Sequence, residues 1–147
     1  MRDLKVLYKT KLRIVGIIFI LTFTIAWWIP SYFVWSDYQD LINQTDEVRL
    51  SLITLIVPIG GLGALVIVLF QFPLAIFYGK RIDNIFSENT MKLSNKICIY
   101  SGLLGVVSAV VFALYSMKLL DEYGYRYSYE LTDITPTGIH LMYVKTQ

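Results

Sequence analysis

The sequence predicts an all-α membrane protein, with three transmembrane helices followed by a short C-terminal extracytoplasmic β-hairpin. Three observations carry that prediction. Apolar stretches at 14–35, 52–78 and 97–120 hold no charged side chain until Lys118. The segments flanking them alternate between basic and acidic character. From Tyr123 onward, tyrosines alternate with Gly, Arg, Ser and Glu. A hydrocarbon core about 30 Å thick needs about 20 apolar residues in a helix, and each stretch meets that length. Because no water reaches backbone groups at that depth, each span is expected to be helical. A hydrophobic share of 56% beside a charged share of 16% fits a membrane chain better than a water-soluble one. The division expected is a three-helix membrane domain over 1–120 and an extracytoplasmic tail over 121–147.

The first span follows a basic leader of Arg2, Lys5, Lys9, Lys11 and Arg13. Its apolar run exceeds the 7–15 residues of a signal peptide. The run ends in Trp27, Trp28, Tyr32 and Trp35, bulky residues at a place where a peptidase needs small ones. It reads as a retained anchor, with the aromatic residues forming an interfacial belt. The loop at 36–51 holds Asp37, Asp40, Asp46 and Glu47 against Arg49 alone. The second connection, 79–96, carries Lys80, Arg81, Lys92 and Lys96 against Asp83 and Glu88. Basic flanks remain cytoplasmic. The N-terminus is therefore expected inside, the first loop outside, the second inside and the C-terminal tail outside. In a bacterium that places the chain in the inner membrane. The second connection is also long enough for a short amphipathic helix, with Ile82, Ile85 and Phe86 turned toward the interface.

Helix association in lipid depends on close packing, which small residues permit. In the third span, Ser101, Gly105, Ala109 and Ala113 recur every fourth residue, and Gly60 and Ala64 share that spacing in the second. These six residues are the expected interface, either between spans two and three or in a homodimer. Span two also contains Pro58, Gly60, Gly61, Gly63 and Pro73, and the run at 58–63 is a candidate for a flexible or broken segment. Gln71 is expected to bond across helices, since its amide has no local partner. No Asp, Glu, Lys, Arg or His falls at mid-membrane, which argues against a pump or coupled transporter acting alone.

In the tail, Tyr123, Tyr125, Tyr127 and Tyr129 define a candidate recognition surface on a strand, since alternation with period two is a strand signal. Turn residues at 132–138 and a second apolar run at 139–144 complete the expected hairpin. An isolated hairpin is marginal in water, so it should dock on something, with the first loop or a partner as alternatives. His140 is the only histidine and Cys98 the only cysteine. No catalytic, cofactor-binding or metal-ligating constellation is visible, so no cofactor, no nucleic-acid partner and no enzymatic activity are expected.

The chain resembles small polytopic immunity proteins, which protect the producers of pore-forming bacteriocins or secreted effectors. The likeness lies in its size, three spans, short loops and lack of catalytic chemistry. The closing run from Thr137 through Gly138, Ile139, His140, Leu141, Met142, Tyr143 and Val144 to Lys145 is also similar to uncharacterised three-span enterobacterial membrane proteins. The first resemblance implies a non-enzymatic inner-membrane protein that neutralises a membrane-acting toxin by direct contact. The alternatives are an accessory subunit of a larger membrane complex and a small homo-oligomeric channel or transporter. The lipid bilayer and a protein are the partners expected.

Overall fold

The computed structural model describes residues 2–135 and 138–146, with side chains from residue 6 onward. Pro136 and Thr137 of the expected turn, and the side chains of Arg2 and Lys5 in the basic leader, lie outside the described residues. The elements run α1 (Arg2–Ile42), β1 (Glu47–Ser51), α2 (Ile56–Gly60), α3 (Leu62–Tyr78), α4 (Glu88–Glu122), β2 (Tyr125–Thr135) and β3 (Gly138–Lys145). Three helical stretches are long and apolar enough to cross a membrane: Val6–Ile42, Ile56–Tyr78 and Glu88–Glu122. Most of their large apolar side chains face outward, among them Phe70, Phe77, Val111 and Leu114.

Span one continues to Ile42 rather than ending near Trp35. Hydropathy falls after Trp35, but Val34, Asp37, Tyr38 and Leu41 keep the three- and four-residue spacing of one helix face. That face is what the sheet covers. Span two begins at Ile56, because Glu47–Ser51 is drawn into a strand and Leu52 N–H still donates to Ile139 O at 3.1 Å. Its suspected break is a one-residue lapse at Gly61. The hydrogen bonds from Gly61 N to Val57 O and from Leu65 N to Gly61 O, each 2.9 Å, carry the helix across it.

Span three starts early, at Glu88, where Ser87 caps it by accepting from Thr90 N at 3.3 Å. The early start takes in most of the second connection. A 3₁₀ turn at Ile82–Asn84 stands where an amphipathic α-helix was expected. Span two ends at Gly79 in the left-handed region (φ 59°), a common helix stop.

The expected hairpin is part of a three-stranded antiparallel sheet in the order β1-β3-β2. β1 comes from the first loop, pairing Glu47 with Val144 through to Ser51 with His140. The addition has a physical cause, since two strands alone hold little apolar area. Val48 and Leu50 of β1 are buried, at 2% and 5% exposure. One cluster joins Leu41, Val48, Leu120 and Tyr125; another joins Leu50, Leu55 and Ala109, with Val34, Phe112 and Leu141 half-buried around it. The core therefore sits between the sheet and the helix ends beneath it. We refer to this as the sheet end and to the opposite one, with Lys9, Lys80 and Arg81, as the basic end.

Candidate functional site

Span three crosses span two through small residues. A Cβ built on Gly105 would lie 2.4 Å from Gly60 Cα, so the two backbones touch and Gly105 has no room for a side chain, whereas a Cβ on Gly60 would meet Gly105 Cα at an ordinary 3.5 Å. One turn away, Ser101 Oγ accepts from Gly63 N at 3.0 Å and reaches the carbonyls of Ile59 (3.0 Å) and Gly60 (3.2 Å). Ala109 is buried and Ala113 half-buried at the edge of the core beside Leu50 and Leu55, while Ala64 is half-buried in α3. The structure thus brings Gly60, Ser101 and Gly105 into a single seam within one chain.

Gln71 is 5% exposed, and its Nε2 donates to Ser94 Oγ at 2.6 Å, tying α3 to α4. Ser94 passes the chain on to Thr90 O at 3.0 Å. Trp27 sits half-buried against span two. Its indole N–H donates to Pro58 O at 3.3 Å, and its ring lies where a Cβ on Gly61 would fall. Trp28 is exposed. At the basic end, Arg13 donates from Nε to Ile76 O at 3.0 Å and from Nη2 to Phe77 O at 3.3 Å. A cation there offsets the negative end of the α3 dipole.

The sheet end holds a cluster that sequence reading did not bring together: Asp37, Arg49, Ser51 and His140. Asp37 Oδ1 accepts from Arg49 Nε (3.2 Å) and Nη2 (3.0 Å), and Oδ2 accepts from Ser51 Oγ at 3.0 Å. Ser51 Oγ is 2.8 Å from His140 Nδ1. Since the one hydroxyl proton serves Asp37, the imidazole completes the chain by donating from Nδ1 to Ser51 Oγ. Arg49 also lies over the Phe33 ring, 5.8 Å from its centroid. The available signal was the helical spacing of Asp37 with Val34 and Leu41, which turns the carboxylate inward. His140 gave none, because its partners lie 89 residues away or more.

The cavity beside this cluster has about 10 Å³ of free space, room for no more than a single water. Ser116 Oγ, fully buried on its wall, has no hydrogen-bond partner among the described residues. The arrangement clamps β1 and β3 onto α1. No group of three His, Cys, Asp or Glu side chains could hold a metal among the described residues.

The four tail tyrosines have separate fates. Tyr123 follows the last residue of α4 and packs against the core, and Tyr125 is 4% exposed. The Tyr125 hydroxyl donates to Thr45 O. Burial, reinforced by the Asp46 charge, raises its pKa above the ordinary phenolic value. Tyr127 packs edge-on against Tyr143, whose pKa is raised by burial and then by Asp121 and Tyr127. Tyr129 stands outermost, at 79% exposure. Alternation fails after Ser128, where the β2 register jumps. Ser128 faces Met142 but Asp133 faces His140, so extra residues bulge from β2. Thr132 pins the bulge, donating to Ser128 O at 2.8 Å and accepting from Met142 N at 3.3 Å. Tyr127, Tyr129, Leu131 and Ile134 are thereby exposed along an edge strand.

Comparison with protein-family models, curated proteins and solved structures gives no match for this chain.

Proposed function

We propose that this chain is a non-enzymatic binding protein of the bacterial inner membrane, with its N-terminus cytoplasmic and its sheet outside. Its partner is another protein, met at the bulged edge of β2. The specific form favoured is an immunity protein that neutralises a pore-forming toxin by direct contact. The observation that carries the reading is the contrast across the sheet. One face is fixed to the helices by a buried core and the Asp37–Arg49 pair, while β2 exposes Tyr127, Tyr129, Leu131 and Ile134. Exposed apolar residues on a firmly held edge strand are a pairing surface, and tyrosine suits such contacts.

An accessory subunit would use the same surface toward a resident complex. The channel alternative finds less support, because Gly60 and Gly63 are filled by span three and Gln71 is bonded to Ser94.

Protection separates the readings. Cells expressing this chain beside the toxin encoded by a neighbouring gene should keep membrane potential and growth. The double variant Tyr129→Ala, Ile134→Asp should lose protection at least about tenfold, since contacts of this kind are worth more than about 1.4 kcal/mol. Its melting temperature should not change. A neighbourhood without a toxin, or full protection by the double variant, would sink the proposal. A stable complex purified from cells without toxin would favour the accessory-subunit reading.

A further inference from the structure

At the basic end, α1, α3 and the 3₁₀ turn enclose an open cleft of about 440 Å³. Its walls are apolar, formed in part by Phe72, Ile82 and Met91, and its rim carries Lys80, Arg81 and Asp83. The volume falls in the ordinary range for small-molecule sites. An apolar trough open to the side with cations at its mouth matches a ligand that has a hydrocarbon tail and an anionic head. We infer that the cleft holds one anionic phospholipid, its phosphate on Lys80 and Arg81 and an acyl chain along the Phe72 wall.

Three features support that occupant. First, the residues before the rim form the C-terminus of α3, whose exposed carbonyls would repel an anion. Arg13 removes much of that repulsion by donating to the carbonyls of Ile76 and Phe77. Second, the Lys9 side chain lies across Gly79, with its methylenes 3.3–3.5 Å from a Cβ built there, which brings a third cation beside the rim. Third, the one acid at the mouth among the described residues is weakly engaged. Arg81 Nη2 meets Asp83 Oδ2 at 3.2 Å, with both side chains more than half exposed. Such a pair contributes little, so Arg81 is free to turn to a phosphate. The cleft lies away from the sheet end, so this inference stands apart from the partner reading.

The test uses the full chain, purified in a mild detergent and examined by native mass spectrometry. It is offered phosphatidylglycerol or phosphatidylcholine with identical acyl chains. Phosphatidylglycerol should be retained about tenfold or more over phosphatidylcholine, the scale expected of two cations at a membrane surface. Lys80→Gln with Arg81→Gln should abolish the preference, and Ala75→Phe, which fills the wall, should reduce retention of both lipids. Lys118→Gln, at the other end of the molecule, should leave both unchanged. Equal retention of the two lipids by the wild-type chain would overturn the inference, as would an equal loss in Lys118→Gln. Complete displacement by glycerol phosphate would also overturn it, since that outcome describes an anion site with no place for the tail.

Discussion

The seam between spans two and three and the join beneath the sheet hold the same helices by different means. At the seam, Gly60 and Gly105 meet backbone to backbone, and Ser101 bridges Ile59, Gly60 and Gly63. At the join, Leu41, Val48, Leu120 and Tyr125 are buried together, and Arg49 pairs with Asp37 above them. The difference is the one expected of helices long and apolar enough to cross a membrane. Lipid does not expel apolar side chains, so helices within it would be held by closeness and by hydrogen bonds. Water does expel them, so a sheet outside it would be held by burial. Substitutions should therefore fail for opposite reasons, overfilling at the seam and emptying at the join.

The largest effect should come from Gly105→Leu. Even a Cβ would fall 2.4 Å from Gly60 Cα and 2.6 Å from Gly60 N, both backbone atoms that cannot rotate away. A loss of about 3 kcal/mol or more is expected from such overpacking. Gly102→Ala, three residues earlier, meets nothing within 4 Å and should stay within about 0.5 kcal/mol. Melting of both variants in one detergent checks this. Equal melting temperatures would mean that the seam is not a close contact.

At the join, Leu120→Ala should cost about 3 kcal/mol by leaving a cavity beneath the sheet, since Leu120 is fully buried. Leu114→Ala, on the outward face of the same helix, should cost far less. A smaller effect, about 2 kcal/mol, is expected for Asp37→Ala, which leaves Arg49 and Ser51 without their acceptor. Arg49→Gln should cost about half as much, because that side chain is 42% exposed. Hydrogen exchange in β1 is the readout that distinguishes a clamp from an incidental ion pair. If β1 amides exchange no faster in Asp37→Ala, the clamp is incidental.

The seam was legible in the sequence because it depends on residue size at fixed spacing, a local property. In the structure Ser101 and Gly105 meet Gly60 across spans two and three, and Gln71 Nε2 donates to Ser94 Oγ. The join was not legible to the same degree. Val48 and Leu50 lie in a short, acid-flanked loop whose two apolar residues give too brief an alternation to read as a strand. Only the partner strand from the far end of the chain makes β1 one. The tyrosine alternation did mark a strand, but it could not reveal the bulge after Ser128, which splits the tyrosines between core and surface. The Asp37–Ser51–His140 chain spans three separate elements, and no local pattern contains it.

The smallest effect sharpens the join further and reads out by pH. Tyr125 and Tyr143 have pKa values raised above 10 by burial, aided by the charges of Asp46 and Asp121 respectively. Folding therefore favours the protonated phenols. Their contribution to stability is complete below the unfolded value near 10 and is lost as pH rises through the higher folded values. The check is an alkaline titration followed by phenolate absorbance. The last phenols should ionise together with loss of the sheet signal in near-ultraviolet circular dichroism. Tyr125→Phe removes the hydroxyl that donates to Thr45 O, a cost of about 1 kcal/mol at neutral pH. It also removes one of the two groups whose ionisation opens the join, so the sheet signal should survive to higher pH relative to its own neutral stability. An unchanged alkaline midpoint in Tyr125→Phe would mean that the hydroxyl does not govern opening of the sheet. Alkaline loss of the seam before the sheet would reverse the comparison, since no titrating side chain lies between Gly60 and Gly105.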